Sequence, residues 1–379
     1  MPALGLQLTV LAGATVPVPL PPDVMARLRT VRVSESDEER SAFTLIFDAG
    51  RSGTRDAVDS PVLLGSPLVA FARVGVVLTF GAVPRLLMDG IITTVELAPG
   101  EKPGAATLTV TGEDVSYLLD REEVDAEHPA LDDYPAVLAI LARYAADGII
   151  PQAIPPVDQD PPLPIDRIPT QHGTDLQHLV MLAERHGFVT YAIPGPLPGT
   201  TTFYWGPPVR AGLPQPALSV DLGPDSNVTS IRFQQDATSP TLVSGRVQDR
   251  TTGEAVDIDA AASLRPPLTA LPLWATQPGG VRTRRLRGGG STTVTAMARA
   301  QAQVDRSVDA VTAEGELDGA RYGDLLRPRA LVGLRGAGWS HDGLWYVRKV
   351  DHDLARGSYR QSFTLARDGY GSTVPVVVV

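Results

Sequence analysis

The sequence predicts an α+β fold in which two similar small β-barrels flank an inserted α/β region. Both ends of the 379-residue chain contain runs of alternating apolar and polar residues, the pattern of half-buried strands. The middle of the chain instead places apolar residues at helical spacing. A third observation is an internal similarity between residues 89–114 and 342–369, each of which runs Asp-Gly, strand, valine and acid, turn, strand. This similarity predicts that the two ends are copies of one barrel.

The first barrel is predicted at residues 1–112. Its clearest strand is SAFTLIFD (41–48), in which Phe43, Leu45 and Phe47 share one face at period two. Further strands are predicted at Val74–Phe80, Pro84–Leu97 and Ala105–Thr111. The last two are joined by APGEKPG, which is rich in turn residues.

The inserted α/β region is predicted at residues 113–215, and it opens with the helix-like stretch GEDVSYLLDREEV. A first amphipathic helix is predicted at Tyr134–Asp147, with Gly148 at its end. A proline-dense connector, residues 151–169, is expected to be extended or polyproline II. A second helix at Asp175–His186 ends at Gly187. It leads into a hairpin at Phe188–Ile193 and Thr201–Trp205.

The second barrel is predicted in two parts. Residues 216–255 supply its first strands, and residues 311–379 supply the remainder. Residues 256–310 between them are predicted to be an irregular linker followed by a helix at Thr292–Asp309. This helix is expected to be capped by Ser291 or Thr292.

Composition excludes several functional classes. The chain has no cysteine, which rules out disulfides, thiolate catalysis and zinc–sulfur sites. Its net charge of −10 argues against general nucleic-acid binding. The N-terminus lacks the basic region of a signal peptide, and the apolar stretch Pro61–Met88 is interrupted by arginines and glycines. We therefore expect synthesis in the cytoplasm and no direct insertion into a membrane.

The stretch HDGLWYVRKVDHDL (341–354) is the densest cluster of chemically active side chains. On an extended strand His341 and His352 would be about 35 Å apart, so they cannot share a metal ion. At period two the stretch divides into one face of Leu344, Tyr346, Arg348, Val350, His352 and Leu354, and another of Trp345, Val347, Lys349, Asp351 and Asp353. In the return strand, Tyr359, Gln361, Phe363 and Leu365 share a face. We interpret the stretch as a structural hairpin with a hydrogen-bonded His352.

Other candidate sites are interpreted as structural. His178 and His186 lie about 12 Å apart along one helix and do not form an HExxH motif. The acidic clusters at 37–39, 122–123 and 132–133 are typical of solvated surface.

The basic stretch RTRRLRGGGST (282–292) precedes a helix, as in a phosphate-binding loop, but it lacks GxxxxGK[ST]. We interpret it as a flexible linker able to contact an acidic partner. Asn227-Val228-Thr229 is a glycosylation sequon, which has no meaning without secretion. The sequence therefore assigns no catalytic, cofactor-binding or metal residue and requires no cofactor.

Residues 314–369 resemble the phage late-control D family, the baseplate hub proteins of contractile tails. The resemblance is carried by EGELDGARYGDLLRPRALVGLRGAG, HDGLWYVRKVDH and GSYRQSFTLARDG. Relatives occur in extracellular contractile injection systems and in the hub portion of type VI secretion spike proteins. The stretch TDLQHLVMLAERHGFVTYA is similar to the inserted helix of that family, and SAFTLIFD and TGEDVSYLLDR fit its first barrel.

This resemblance implies a non-enzymatic homotrimer. Three chains with two barrels each would form a six-fold-like ring on a hexameric inner tube, while the inserted regions seat a trimeric spike. The sequence has no counterpart of the OB-fold and β-helix of type VI spike proteins, so a separate spike subunit is expected beside other baseplate proteins. The protein would assemble in the cytoplasm and end up in the baseplate of a phage-tail-like particle.

Two alternatives remain open from the sequence. A tail-associated cell-wall hydrolase would need facing acidic side chains in residues 113–215. A receptor- or carbohydrate-binding β-protein would use exposed tryptophans, for which the candidates are Trp205, Trp274, Trp339 and Trp345. Of these, Trp345 is expected in the core.

Overall fold

The fold is mixed α+β, with mostly antiparallel sheets and few helices. A computed structural model describes residues 5–14, 16–51, 59–102, 104–157, 165, 168–236, 238–239, 241–277, 279, 281–286 and 292–373. The strands are β1 (Leu6–Gly13), β2 (Val18–Pro19), β3 (Leu28–Ser36), β4 (Ala42–Asp48), β5 (Arg73–Phe80), β6 (Val83–Ala98), β7 (Thr107–Asp114), β8 (Ala126–Glu127), β9 (Ile149–Ala153), β10 (Thr170–Gln171), β11 (Val189–Pro194), β12 (Thr201–Gly206), β13 (Gln215–Ser219), β14 (Val228–Gln235), β15 (Thr241–Gln248), β16 (Ala255–Ala260), β17 (Leu271–Pro272), β18 (Arg282–Arg285), β19 (Val311–Asp318), β20 (Leu331–Arg335), β21 (Gly343–Ala355), β22 (Ser358–Arg367) and β23 (Gly369–Tyr370). The α-helices are α1 (Pro22–Met25), α2 (Asp133–Ala142), α3 (Asp175–His186), α4 (Leu273–Thr276), α5 (Thr293–Ser307) and α6 (Gly319–Tyr322).

One 13-stranded sheet contains strands from both ends of the chain. Its order is β14-β19-β22-β21-β3-β4-β7-β6-β5-β1-β2, with β20 paired to β21 and β13 paired to β20. Among the described residues this path stays open, so the pairings do not form the two separate closed barrels that the sequence predicted. The two ends of the chain share one sheet because β21 is long enough to pair with a strand of each end. It pairs with β20 through residues 343–346 and with β3 through residues 349–355.

The two ends of the chain use the same order of six strands. The first sheet half runs β3-β4-β7-β6-β5-β1, and the second sheet half runs β14-β19-β22-β21-β20-β13. They differ in the sixth strand, because β1 is antiparallel to β5 whereas β13 is parallel to β20. Residues 236–310 interrupt the second half between β14 and β19.

Two β-bulges occur at matching places in the two halves. One adds Arg29 to β3 and Thr229 to β14, and the other adds Thr93 to β6 and Arg348 to β21. In the first half, cross-strand pairs lead from the first bulge to the second through Arg32, Thr44, Thr111 and Thr94. In the second half, the same path leads through Arg232, Glu314, Thr364 and Lys349. Both paths cover the same number of residues between the two bulges. Strands β3, β4, β7 and β6 of the first half therefore correspond residue by residue to β14, β19, β22 and β21 of the second half.

This register corrects the alignment of the two similar sequence stretches. They do form corresponding hairpins, β6–β7 and β21–β22. The sequence comparison matched Asp89 with Asp342, whereas counting from the bulges matches Asp89 with Leu344. The offset arises because the bulge lies four residues after Asp89 but six residues after Asp342.

Each sheet half encloses its own apolar core. The first core is centred on Phe43, Leu45, Phe47, Val76 and Leu78, and the second is centred on Val332, Trp345, Val347, Phe363 and Leu365. A third core lies in the inserted region and includes Val137, Leu179, Phe203 and Trp205. A fourth packs α5 on β15 and β16.

The helices follow the sequence signals closely. Helix α3 has the predicted bounds, because a capping box of Thr174 and Gln177 begins it and Gly187 ends it at φ 68°. Helix α2 stops at Ala142, earlier than predicted, and a short 3-10 turn follows at Ala145–Asp147. Within the described residues no helix is long and apolar enough to cross a membrane.

Paired strands occur in the linker that was predicted to be irregular and in the connector that was expected to be extended or polyproline II. In the predicted linker, β16 pairs antiparallel and β18 parallel with β15. The period-two pattern AVDIDA was the missed signal, since Ile258 and Ala260 are buried while Asp257 and Asp259 are exposed. In the proline-dense connector, residues 151–153 belong to β9, which pairs parallel with β12. Connector residues 158–164 and 166–167 lie outside the described residues.

Candidate functional site

The two sheet halves are joined along one seam, where β3 pairs antiparallel with β21. A buried polar network lies on this seam. The Glu35 carboxylate accepts a hydrogen bond from Arg327 at 2.8 Å and lies 3.2 Å from Nε2 of His352. Nδ1 of His352 lies 2.9 Å from the hydroxyl of Tyr359, and Arg327 also donates to the carbonyl of Leu87 on β6. The network therefore connects β3, β6, β21 and β22.

The protonation states of this network are set by burial and charge. Burial alone would raise the pKa of the Glu35 carboxyl, but Arg327 and His352 together hold it below its usual value. Burial lowers the pKa of His352, and Glu35 offsets this only in part. At neutral pH the seam contains an ionised glutamate, a charged arginine and a neutral histidine.

The histidine-rich stretch 341–354 is a structural hairpin strand, as interpreted from the sequence. His352 is 1% exposed and hydrogen-bonded inside the seam. The predicted alternation is wrong across the bulge at Arg348, because it placed Val350 on the face opposite to Trp345 and Val347. All three side chains lie in the second core. An extra residue shifts the side-chain parity by one position. In the return strand Tyr359, Gln361, Phe363 and Leu365, which were predicted to share a face, are all buried.

The inserted region is fastened to the first sheet half by a buried ion pair. Asp89 on β6 accepts two hydrogen bonds from Arg73 on β5, each 2.7 Å long. Asp89 also accepts a 2.8 Å bond from the hydroxyl of Thr201 on β12, and Arg73 donates to the carbonyl of Asp147. The side chain of Asp89 is 0% exposed, so the pair is shielded from solvent.

The acidic clusters do not all lie on the surface. Glu122 and Glu123 are exposed, as expected. Asp133 is buried, contrary to the prediction, because Arg185 (2.7 Å) and His186 (2.8 Å) from α3 bind its carboxylate. Although burial opposes ionisation, these partners hold the pKa of Asp133 below its usual value.

The two helix histidines serve separate contacts. His186 binds Asp133, whereas His178 stacks on His128 with ring centroids 5.6 Å apart. Burial lowers the pKa of His178 to about 4, so this imidazole is neutral at physiological pH. Within the described residues no group of three or more histidine, aspartate or glutamate side chains is arranged to hold a metal ion.

A charged cavity of about 280 Å³ lies where the inserted region meets both sheet halves. Asp309 forms its centre, accepting two hydrogen bonds from Arg210 and lying 3.4 Å from Arg348. Arg210 also stacks 4.5 Å above the ring of Tyr346. Arginine and carboxylate therefore neutralise each other inside the cavity.

Asp37 lines this cavity at the turn between β3 and β4. Burial raises the pKa of Asp37 to about 6, and Arg348 compensates only in part. The folded state therefore holds a proton that the unfolded chain releases near pH 4, and stability falls as the pH rises through this interval.

We expect Asp37→Asn to raise the unfolding free energy at pH 7.5 by about 1–3 kcal/mol, since a shift of one pKa unit corresponds to about 1.4 kcal/mol. The gain should vanish below about pH 4, where Asp37 is protonated in both states. Urea unfolding at both pH values measures this gain in stability. The control is Glu39→Gln, because Glu39 lies on the same turn but its side chain is exposed. An Asn variant no more stable than wild type at pH 7.5 would refute this account of Asp37.

The basic stretch 282–292 is partly a strand. Arg282–Arg285 form β18, whose side chains are all exposed, so this part is not the flexible linker that the sequence predicted. Residues 287–291 lie outside the described residues. Thr292 caps α5 by accepting a hydrogen bond from the backbone of Thr295, as expected for one of the two predicted caps.

Trp205, Trp345 and the asparagine of the sequon have structural roles, whereas Trp274 is partly buried and Trp339 is exposed. Trp205 and Trp345 are 0% exposed, so neither can bind a surface ligand. Trp339 is 50% exposed. The side chain of Asn227 accepts from Ser219 and donates to the carbonyl of Ala217, which fixes the approach from β13 to β14.

Several strand edges of the sheet are open within the described residues, including those of β14 and of part of β6. The outer side of β14 pairs with no described strand. The same is true of residues 94–98 of β6, because β5 pairs only with residues 83–91 of that strand. Such edges carry unpaired backbone donors and acceptors that can bind another strand.

Comparison with known proteins identifies the fold. No protein-family model and no curated protein sequence matched this chain. Solved structures do match along nearly its whole length. The 43 kDa tail protein of prophage MuSo2 from Shewanella oneidensis aligns with a TM-score of 0.65 at 14% identity, covering 96% of this chain and 99% of that chain. The chain has a phage tail protein fold.

Two further structures carry the tail protein fold. The tail protein from Neisseria meningitidis MC58 aligns with a TM-score of 0.61 at 13% identity, covering 96% of this chain and 97% of that one. The E. coli c3393 protein aligns with a TM-score of 0.57 at 13% identity, covering 98% and 80%. That protein is a component of the type VI secretion system with structural similarity to the T4 tail proteins gp27 and gp5. The resemblance to tail proteins is thus confirmed for the mixed α+β fold, whereas two closed barrels are not formed among the described residues.

Proposed function

We propose that this protein is the hub of a contractile-tail baseplate or injection system. It acts as a homotrimeric adaptor between a hexameric inner tube and a trimeric spike, beside other baseplate proteins. Each chain assembles in the cytoplasm and becomes part of the particle. The proposal needs no catalysis, no cofactor, no nucleic-acid recognition and no membrane insertion.

The observation that carries the proposal is the repeated arrangement of six strands with matching bulges. Two equivalent halves in each of three chains supply six equivalent units, the number needed to match a hexameric tube. In this proposal residues 1–112 form the first tube-like unit, and residues 216–235 and 311–379 form the second. Residues 241–255, predicted as strands of the second barrel, belong instead to the separate sheet of β15, β16 and β18. Residues 113–215 and 236–310 remain outside the repeat and keep three-fold symmetry.

The hydrolase alternative has less support. Asp133 and Asp175 are buried acids of the inserted region, and each is bound by cationic or hydroxyl partners. A general acid of a glycosidase requires a raised pKa, which is the reverse of the direction found for Asp133.

We expect the purified protein to have three times the mass of one chain, either alone or on addition of its spike protein. Light scattering and native mass spectrometry measure this. The trimer should also bind the hexameric inner tube in a pull-down experiment, whereas an unrelated tail protein of the same particle should not. A chain that stays monomeric with both spike and tube present would contradict the proposal.

A further inference from the structure

The seam within the chain indicates what the open edges bind. In the second sheet half, residues 349–355 of β21 are covered on one side by β3. The side chains on the core face of this segment are buried, since Val350 is 0% exposed, His352 1% and Leu354 4%. On the β3 side, Val31 and Val33 are 0% and 1% exposed.

In the first sheet half, the counterpart of this part of β21 is the end of β6, and no described strand pairs with its outer side. Counting from the bulges, Val95 matches Val350 and Leu97 matches His352. Val95 is 38% exposed and Leu97 is 46% exposed, and no described strand pairs with this side of β6. Two apolar side chains thus lie exposed at positions whose counterparts are fully buried.

The counterpart of β3 is uncovered as well. Strand β14 matches β3, so that Ile231 corresponds to Val31 and Phe233 to Val33. Both apolar side chains are only partly buried, although they pack against the second core. Within the described residues, each chain therefore has an unpaired edge on β14, which corresponds to β3. It has a second such edge on residues 94–98 of β6, which correspond to the part of β21 that pairs with β3.

We propose that residues 94–98 of β6 in one copy pair antiparallel with the outer edge of β14 in a second copy. The proposal rests on the trimer proposed above and identifies its strand contact. Transferring the register of the internal seam gives the pairs Val95–Gln235, Glu96–Gln234, Leu97–Phe233 and Ala98–Arg232. The contact is head to tail, and three of them close a ring in which every half meets two others.

The side chains suit this register. Leu97 and Phe233 face each other directly and bury their apolar surface, which is the main driving force of association. Glu96 lies diagonally across from Arg232, within reach of an ion pair on the same face. Arg232 has 75% of its side chain exposed in the single chain, where it contacts Glu314.

Introduced cysteines test this contact directly, because the chain has none of its own. The variant Ala98→Cys/Arg232→Cys should oxidise to a covalent trimer, seen on a non-reducing gel and reversed by dithiothreitol. Its matched control is Arg32→Cys/Asp353→Cys, the equivalent pair of the internal seam, which should close within one chain. The off-register variant Ala98→Cys/Gln235→Cys should stay monomeric on the gel, because its cysteines would lie three residues apart along the strand.

The outcomes separate the two proposals. A protein that is trimeric by light scattering but gives no covalent trimer with Ala98→Cys/Arg232→Cys overturns this strand contact and leaves the hub proposal intact. Equal cross-linking of the off-register variant would also overturn it, since random collision would then explain the product. A protein that is monomeric even with its spike and tube overturns both proposals.

Discussion

Replacing Asp89 with alanine is expected to lower the free energy of unfolding by about 3–5 kcal/mol, the usual cost of breaking a buried ion pair from one side. The variant leaves the guanidinium of Arg73, itself only 8% exposed, without its carboxylate. It also removes the partner of the Thr201 hydroxyl. Because these bonds join the first sheet half to the inserted region, that region should also become more sensitive to proteolysis.

The control for Asp89→Ala is Asp353→Ala. Asp353 also belongs to a long strand of the main sheet and also binds an arginine, but its side chain is 50% exposed. An exposed pair of this kind contributes about 0–1 kcal/mol. Urea unfolding compares the two variants, and limited proteolysis locates the loosened region. Similar losses in both variants would mean that the buried pair does not fasten the inserted region.

The parts of the fold that depend on local signals could be predicted from the sequence. Helix α3 has a cap at one end and a glycine at the other, so its bounds followed from adjacent residues. Four strands of the first sheet half, β4 to β7, were placed to within a few residues because their alternation is regular, whereas β1 and β3 were not assigned. The hydrogen-bonded role of His352 followed from its place in a hairpin, although its main partner, Glu35, is 317 residues away.

The parts that depend on distant pairing could not be predicted. Asp133 looked like a surface acid because Arg185 and His186, which bind it, are 52 and 53 residues away. The bulge at Arg348 carries no marker such as glycine, so the strict alternation assigned the wrong face to the residues before it. The single continuous sheet follows from the pairing of β3 with β21, a contact between opposite ends of the chain.

The correspondence of the halves explains why two buried titratable residues of the seam have neutral counterparts at the open edges. Glu35 and His352 of the internal seam correspond to Gln235 and Leu97 at the open edges. A buried ion network is satisfied within one chain as it folds, because all its partners are present. The open edges are exposed to water in the single chain, and in the proposed contact a neutral Gln235 and Leu97 avoid the cost of removing charges from water at these two positions.

Replacing Arg327 with alanine is expected to cost about 3–5 kcal/mol of unfolding free energy at pH 7.5, because the ionised Glu35 would stay buried beside a neutral histidine. The control is Arg85→Ala. Arg85 also joins the two sheet halves, through bonds of 3.0 and 3.1 Å to Asp324, but its side chain is 49% exposed. Its loss should cost less than about 1 kcal/mol.

The pH dependence distinguishes a lost charge from a lost side chain in Arg327→Ala. In the wild type the pKa values of Glu35 and His352 are both below their usual values. Stability is therefore lost as the pH falls below the unfolded-state pKa of the histidine, about 6.5, and lost further below that of the glutamate, about 4.3. Without Arg327, burial of Glu35 dominates and its folded pKa rises, so protonation now favours the folded state. The deficit of the variant should therefore shrink between pH 7.5 and pH 4.5 in urea titrations. A deficit that is constant over this range would show that Arg327 contributes packing and carbonyl hydrogen bonds rather than charge to the seam.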